Sequence, residues 1–232
     1  MATPKNKFSK DGFELGGSKI PTIVLGQDDF GNTREQIRQN FVEIRKNPDV
    51  VRLESKHNQN AKDRGNYLED GIAHWVSDQL DNLCEESCSV SFHKPTDAFR
   101  LPKYKMAASL DGVLEVHGGS IQYEDPQTEL TFNLSGKGVC EIKTQGYNDH
   151  VTYDHILQLQ AQMLVSGFKW GVIGHLGPRL KMKMYVFLSL ADIQKKIIEG
   201  VKDFWNKVLK DEPYPIIDQP KQKEFSDWSN ND

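Results

Sequence analysis

The sequence contains little of what would mark it as secreted, membrane-bound or generally basic. Cysteine is rare, with three residues in the whole chain, and an odd number this small fits free thiols in a reducing compartment. No apolar run reaches the roughly 18 residues that a membrane span requires, and no signal peptide is visible. The formal net charge of −4 argues against a surface coated with cations for general nucleic-acid binding, but leaves room for a locally basic channel. We therefore expect a cytoplasmic protein that does not enter a membrane.

Several common catalytic fingerprints are also absent. There is no Walker motif, dinucleotide-binding fingerprint, Gly-x-Ser-x-Gly elbow or Cys/His nucleophile arrangement, and no internal repeat. Cys84 and Cys88 stand four residues apart, which suits either half of a zinc site or a pair of partly buried thiols at a helix end, and we favour the thiols. The 232 residues are enough for one sizeable α/β domain with a core of its own.

The chemistry that is present centres on a short apolar stretch carrying two charged residues. Gly138 to Thr144 has the composition of a strand and is bounded by Gly136 and Gly146. Because side chains alternate along a strand, Glu141 and Lys143 should share one face. Taken alone, a Glu-x-Lys pair on a strand is more often a charged pair that faces solvent.

A second carboxylate precedes this strand. Residues 106–116 are also predicted to be extended and contain Asp111-Gly112, although Asp-Gly alone is more often a turn. If the two strands pair, Asp111 and Glu141 converge, and a divalent cation relieves the repulsion between them. Mg²⁺ prefers oxygen ligands and is usually held by one or two carboxylates plus substrate phosphate. Such an ion lowers the pKa of a bound water, and Lys143 can orient that water or neutralise the developing charge.

The remaining pattern places helices and hairpins around this core. A capping box at Thr33 opens a helix that presents Ile37, Phe41 and Ile44 on one face. Further helices are predicted from about Asp63 to Leu83, from Tyr153 to Ser166 with its end at Gly167, and from Asp192 to Leu209. Strands and turns are predicted at 89–100, 170–176 and 182–188, and polar connections at 46–63 and 145–153. Residues 117–136 are predicted to form an extra hairpin, which could be an added edge, a DNA contact or a subunit contact.

Several polar residues stand where their role can be structural or functional. Glu69 precedes the apolar stripe of its helix on the same face, where a carboxylate is costly unless it has a partner or lies in a solvated first turn. Gln160 occupies the centre of the apolar face of the 153–166 helix, with Gln158 and Gln162 to one side. Gly16-Gly17-Ser18 can present N–H groups to a phosphate or form an ordinary turn. His155 and His175 have no partner at metal-ligand spacing and are assigned to the structure or the surface.

Five stretches together resemble the YqaJ-like viral recombinase nucleases of the lambda-exonuclease type, within the PD-(D/E)xK nuclease superfamily. They occur in family order over roughly residues 11–210 and are Leu15–Ser18, Gly65–Glu69, Ser109–Gly112, Gly138–Thr144 and Leu157–Gln162. The resemblance implies an α/β fold with a central mixed β-sheet flanked by helices, the restriction-endonuclease-like core. It implies a nuclease domain over residues 11–210. The polar and basic residues 1–10 are predicted to form a flexible arm, and residues 211–232 a C-terminal tail. Three cysteines cannot supply the four that hold an iron–sulfur cluster in some superfamily members.

The resemblance also suggests a role for each candidate site residue. Asp111, Glu141 and the backbone carbonyl of Ile142 are expected to bind metal, and Lys143 to position the attacking water. Glu69 and Gln158 are expected to support a second metal or that water.

Three further residues are candidate phosphate or DNA contacts. In the lambda-type enzymes the serine that matches Ser18 helps to hold the DNA 5′-phosphate, together with an arginine slightly upstream. No arginine precedes Ser18 in this sequence, where Lys10 and Lys19 are the nearest cations. Ser109 is the second candidate contact. Gln160 is the third, and the alternative for it is a core amide bonded to backbone.

The expected activity is Mg²⁺-dependent hydrolysis of DNA, with Mn²⁺ able to substitute and two ions per site. The resemblance implies a 5′-to-3′ exonuclease that resects double-stranded DNA ends for phage-type recombination by strand annealing. It further implies a ring-shaped homotrimer, a partner annealing protein and, for a phage-encoded enzyme, the host cytoplasm. Two alternatives stay open: a structure-specific or restriction-type endonuclease with the same chemistry, and a catalytically inactive DNA-binding relative.

Overall fold

The structure, a computed structural model, describes residues 14–28, 31–47, 56–126, 128–146 and 148–215. For residues 56–66 only the backbone is described. The predicted arm, residues 1–10, and most of the predicted tail, residues 211–232, lie outside the described residues.

Within these ranges the chain forms eight strands and five α-helices. The strands are β1 (Leu15–Gly16), β2 (Ser89–His93), β3 (Phe99–Leu101), β4 (Met106–Ala108), β5 (Gly112–Glu124), β6 (Thr131–Thr144), β7 (Trp170–Leu176) and β8 (Met182–Leu188). The helices are α1 (Ile20–Leu25), α2 (Arg34–Lys46), α3 (Lys56–Asp81), α4 (Tyr153–Ser166) and α5 (Ala191–Lys210). No helix of the described residues combines the length and the apolar character needed to cross a bilayer.

A mixed five-stranded sheet forms the centre of the structure. Its strand order is β2-β5-β6-β7-β8, and a smaller sheet has the order β1-β4-β3. In the larger sheet only β6 and β7 are parallel, because α4 carries the chain back between them. The predicted fold class, a central mixed sheet flanked by helices, is confirmed.

Alternating side chains of the central strands supply two separate cores. On β6, Val139 packs with α1, α4 and α5, while Cys140 and Ile142 pack with α3 on the other face. On β7, Ile173 and Val172 divide in the same way. The period of two along a strand thus sorts the apolar residues to the two faces, and the sheet lies between α3 and α4.

Most predicted helix boundaries agree with the structure, and their end signals explain why. The Thr33 hydroxyl accepts a hydrogen bond from the N–H of Gln36, and the Gln36 side chain accepts one from the N–H of Thr33, as expected for a capping box. Helix α4 spans the predicted residues and ends at Gly167, whose φ of 79° is left-handed. Helix α3 is the exception, because it begins at Lys56 and not near Asp63. Part of the predicted connection 46–63 is therefore helical, as its lysine, glutamine and alanine residues favour.

The region between the two predicted catalytic strands differs from the prediction in two ways. Residues 106–116 are not one strand, since β4 ends at Ala108 and β5 begins at Gly112 in a different sheet. Residues 117–136 are not an added edge hairpin either. They continue β5 and β6 into one long antiparallel hairpin with a register shift between Val116 and Ile121. The buried side chains of Ile121 and Leu134 pack in the same core as α3. This packing stabilises the pairing of β5 and β6 beyond Val116.

Candidate active site

Glu141 and Lys143 lie on the face of β6 that packs against α4. Their side chains are in contact, with Lys143 Nζ 2.6 Å from Glu141 Oε1. Glu141 is only 2% exposed, so this pair does not face open solvent. Burial alone would lower the pKa of Lys143, but attraction to Glu141 and the hydrogen bond outweigh it and raise the pKa above its usual value. Lys143 is therefore a half-buried ammonium group at neutral pH.

Asp111 reaches the same place from the short connection between β4 and β5. Because Gly112 pairs with Cys140, the preceding residue Asp111 lies opposite Glu141. Asp111 Oδ2 accepts a 2.8 Å hydrogen bond from the N–H of Ile142. Burial and the neighbouring charge of Glu141 both hold the pKa of Asp111 well above its usual range. The structure thus brings the two predicted carboxylates together, with Asp111 at a strand junction and not inside a strand.

Two glutamines of α4 hold the Glu141 carboxylate. Gln158 donates from Nε2 to Glu141 Oε1 at 2.6 Å and accepts from Lys143 Nζ at 3.0 Å. Gln162 donates from Nε2 to the other oxygen, Oε2. Residues four apart share a helix face, so one face of α4 places both amides on Glu141. We did not select Gln162 from the sequence, although its spacing from Gln158 was a usable signal.

Gln160 lies elsewhere, so its selection as a DNA contact was wrong. Its Nε2 donates to the carbonyl of Leu188 at 2.8 Å, and its Oε1 accepts from the N–H of Leu190 at 2.9 Å. The side chain is fully buried. It is the core amide bonded to backbone that the sequence allowed as an alternative.

Glu69 stands at the rim of this cluster. Its charge is close enough to raise the pKa values of both Asp111 and Lys143. Its carboxylate pairs with Lys94, at 3.1 Å from Nζ, a partner that the sequence did not indicate. Because α3 begins at Lys56, Glu69 lies well inside the helix and not in a solvated first turn.

The two candidate serines lie near the cluster with exposed side chains. Ser109 stands in the connection between β4 and β5, two residues before Asp111. Ser18 belongs to a short 3-10 turn, Gly17–Lys19. Gly17 packs on α4, where a Cβ would make an ordinary contact, 3.7 Å from Gln162 Cγ. Ser18 is therefore next to the helix that holds Glu141.

Two buried histidines line the loop that follows β6. The Nδ1 atom of His155 accepts from the N–H of Thr152 at 3.1 Å, and Gln145 lies between His155 and His175, 3.3 Å and 3.4 Å from their Nε2 atoms. Burial, with the charges of Lys143 and His175, lowers the pKa of His155 to about 4. Both rings are buried and hold the loop structure, so neither is a surface residue.

The residues present fit a hard divalent cation. Within the described residues no group of three or more His, Cys, Asp or Glu side chains could hold a metal. A Mg²⁺ site, however, often has only one or two carboxylates. Asp111 and Glu141 are mutually repelling carboxylates, and the carbonyl of Ile142 leaves β6 on the same edge as the N–H that binds Asp111. The Oε1 atom of Gln162 is buried beside them without a hydrogen-bond partner.

The structure does not support a zinc half-site at Cys84 and Cys88. Cys84 and Cys88 lie just after α3, half-buried, and the two thiols contact each other. Burial and the neighbouring Cys88 raise the pKa of Cys84 to about 12, and within the described residues no third His, Cys, Asp or Glu side chain joins these thiols in a group that could hold a metal. They are partly buried thiols beyond a helix end.

The sequence matches no protein-family model and no curated protein. The fold nevertheless resembles solved structures over most of the chain. The crystal structure of LHK-Exo in complex with dAMP has a TM-score of 0.59 at 13% identity, covering 86% of this chain and 89% of that one. The alkaline exonuclease LHK-Exo from Laribacter hongkongensis has a TM-score of 0.51 at 14% identity, with the same coverage. A phage related exonuclease from Haemophilus somnus 129PT has a TM-score of 0.51 at 10% identity, covering 85% of this chain and 96% of that one.

These likenesses concern the fold, because the identities are low. The chain has the α/β fold of the alkaline and phage related exonucleases, so the fold predicted from the five stretches is confirmed.

Proposed function

We propose that this chain is a metal-dependent deoxyribonuclease that acts on the ends of double-stranded DNA. The observation that carries the proposal is the convergence of Asp111, Glu141 and Lys143 at one edge of the central sheet. The neighbours of the same fold are described as exonucleases, which supports hydrolysis of a nucleic-acid backbone over other metal-assisted reactions. The fold alone does not specify the substrate, so the proposal depends on this cluster.

Asp111, Glu141 and the carbonyl of Ile142 would hold Mg²⁺, with Mn²⁺ able to substitute and a second ion bound with the substrate. When bound, the cation polarises the phosphoryl group and lowers the pKa of a water molecule. Gln158 and Gln162 fix the orientation of the Glu141 carboxylate. Because amides are neutral, they do so without cancelling the negative charge that attracts a cation.

Lys143 provides the positive charge nearest to the reacting phosphate. Its raised pKa keeps the ammonium group charged, and its hydrogen bonds to Glu141 and Gln158 fix its position. A fixed ammonium group can orient the attacking water and stabilise the charge that develops on the phosphoryl oxygens. Glu69 would support the second ion or the water from the rim, and its partner Lys94 limits the repulsion that it adds.

The proposed substrate end is recognised by the exposed serines. The hydroxyls of Ser18 and Ser109 would contact a terminal phosphate beside Asp111. Removal of nucleotides from 5′ ends would leave single strands for annealing, and the proposal therefore includes 5′-to-3′ polarity and an annealing partner protein. It also includes a ring-shaped homotrimer around the DNA. The sequence resemblance supports these finer points.

The test is hydrolysis of linear duplex DNA in Mg²⁺ by the wild type, Lys143→Ala, Glu141→Gln and the exposed control Lys195→Ala. Removing a fixed group that stabilises developing charge costs about 10²–10³-fold in kcat. We expect losses of this order for Lys143→Ala and Glu141→Gln and none for Lys195→Ala. Equal rates for the wild type and Lys143→Ala would remove the mechanism. Binding without any product from the wild type would favour a catalytically inactive DNA-binding relative.

A further inference from the structure

The turn between β7 and β8 has an unusual backbone. Arg179 and Leu180 are consecutive non-glycine residues with φ of 58° and 59°, in the left-handed region. L-amino acids with a Cβ rarely adopt this conformation, and glycine or asparagine is the usual choice. The turn has a glycine, Gly177, but at a position whose φ is −90°. The unfavourable conformation therefore falls on two residues with long side chains.

Burial does not compensate for this conformation. Leu180 is 81% exposed, the second highest value among the large hydrophobic side chains of the described residues, and Arg179 is exposed as well. Non-glycine residues in this region persist where the surrounding structure enforces them, and they cluster at ligand-binding sites. We refer to residues 178–181 as the hairpin tip.

The surrounding structure does hold the hairpin tip in place. The N–H of Gly177 donates to the carbonyl of Lys181 at 2.9 Å and closes the turn. Beneath it, the N–H of Gln145 donates to the carbonyl of Leu176 at 2.9 Å. Lys183 Nζ lies 3.0 Å from the carboxylate of Asp149, which ties β8 to the loop after β6.

The hairpin tip lies beside the candidate active site. Strands β6 and β7 are parallel, with Lys143 opposite His175 and Thr144 opposite Leu176. The chain leaves the sheet directly after Leu176, at the edge where Lys143 meets Glu141. The hairpin tip is thus one strand away from the Lys143 ammonium group and emerges at the same end of the sheet.

The charge of this segment is opposite to that of the whole chain. The chain carries a net charge of −4, but three cations, Arg179, Lys181 and Lys183, fall within five residues here. Lys183 is paired with Asp149, and the charge of Lys181 acts on the same carboxylate from a greater distance, whereas Arg179 makes no ion pair with any described residue. Two exposed cations flank an exposed leucine, next to a site for phosphodiester hydrolysis.

We propose that the hairpin tip binds the DNA backbone next to the scissile phosphate. Arg179 and Lys181 would pair with phosphates, because guanidinium and ammonium groups bind them while releasing counterions. Leu180 would pack on the sugar or base of the adjoining nucleotide. This inference rests on the proposed function and adds to it a contact that does not touch the reacting atoms.

The first experiment measures binding of a linear duplex in EDTA, where hydrolysis is suppressed, over a series of NaCl concentrations. It compares the wild type with the double variant Arg179→Ala/Lys181→Ala and with the exposed control Lys195→Ala/Lys196→Ala on α5. Each lost phosphate contact reduces the slope of log K against log salt by about 0.9. We expect the DNA affinity of the double variant to be at least tenfold lower than that of the wild type. Because two cations are removed, the slope of log K against log salt should be smaller by one to two units. The control should match the wild type.

Two further variants separate binding from folding. Arg179→Gly relieves the left-handed conformation, so its Tm should equal or exceed that of the wild type while its DNA affinity falls. Arg179→Lys/Lys181→Arg retains both charges and should retain most of the affinity. In Mg²⁺ the Arg179→Ala/Lys181→Ala variant should show a raised KM and a kcat within about twofold of the wild type, since only binding is lost.

Unchanged affinity and salt slope in Arg179→Ala/Lys181→Ala would overturn the inference. So would a Leu180→Ala variant that dissociates into smaller species while its DNA affinity is unchanged, because the hairpin tip would then be a contact between copies of the chain. The proposed function fails separately. The proposed function is contradicted if the wild type binds DNA through the hairpin tip but hydrolyses none. It is supported if the wild type hydrolyses DNA, even where Arg179→Ala/Lys181→Ala binds DNA as tightly as the wild type.

Discussion

Glu141 has a buried carboxylate whose two oxygens are bonded by different partners. Lys143 and Gln158 share one oxygen, and Gln162 holds the other. An arginine in place of the glutamines would neutralise the carboxylate and compete with a cation. The amides fix the carboxylate without adding charge, so under the proposed function they leave the Asp111 and Glu141 pair free to attract a divalent ion.

At the scale of single residues, we predict that Gln162→Leu weakens metal binding. The substitution leaves Glu141 Oε2 buried without its hydrogen-bond donor, so the carboxylate is free to rotate away from Asp111. Groups that orient a metal ligand are typically worth about 10–100-fold in metal affinity. Isothermal titration calorimetry with Mn²⁺ should show a loss in this range. Gln122→Leu, on the exposed side of β5, should leave the affinity unchanged. A Gln162→Leu affinity within twofold of the wild type would contradict the assigned role.

At the scale of elements, the β5–β6 hairpin positions both carboxylates, and its pairing depends on glycines beneath aromatic rings. A Cβ on Gly138 would lie 2.4 Å from Cδ2 of Trp170, and one on Gly112 would lie 2.0 Å from Cε2 of Phe92. The indole N–H of Trp170 also donates to the carbonyl of Ser135 at 2.9 Å, which fixes the ring over β6. Neither ring can stay in place if a side chain is added below it.

The corresponding prediction concerns the stability of this hairpin. Gly138→Ala should lower the free energy of unfolding by about 1–3 kcal/mol, because the new methyl group overlaps the Trp170 ring. Gly119→Ala lies in the same hairpin, where a Cβ would meet no atom within 4 Å, and should change it by less than about 0.5 kcal/mol. Urea denaturation followed by tryptophan fluorescence measures both values. Equal stability of the two variants would show that the ring moves aside without cost.

At the scale of the whole molecule, the candidate site lies at one edge of a sheet that is covered on both faces. Helix α3 packs on one face and α4 on the other, so the phosphate of the proposed substrate would reach Asp111 and Glu141 from the strand ends. The exposed hydroxyls of Ser18 and Ser109 lie near this edge. A terminal phosphate monoester carries more negative charge than an internal diester, which favours a DNA end over an uninterrupted duplex at this position.

We therefore predict that linear duplex DNA is degraded from its ends, while covalently closed circular duplex of the same sequence stays intact. Gel electrophoresis of both substrates in Mg²⁺ measures the difference. Linearising the circle with a restriction enzyme should restore degradation, and this serves as the matched control. Cutting of closed circles at a comparable rate would favour the endonuclease alternative and remove the preference for ends.

Much of the architecture follows from local patterns. A period of 3.6 and the stop at Gly167 define α4, and two apolar stretches separated by a turn with Pro178 define β7 and β8. The same alternation places Glu141 and Lys143 on one face of β6. These features depend on residues close together in the chain, and for this reason the sequence by itself determined most helix ends, most strands and the shared face of Glu141 and Lys143.

Only the tertiary structure decided how separate segments meet. It placed Asp111 at a junction between two sheets, turned Gln160 towards the backbone of β8, and set Gln162 on Glu141. The pairing of Lys94 with Glu69 and the left-handed backbone of Arg179 and Leu180 likewise appear in no local pattern. Each of these depends on contacts between residues far apart in the chain, or on a backbone conformation enforced by its surroundings. Periodicity and spacing carry no information about such contacts.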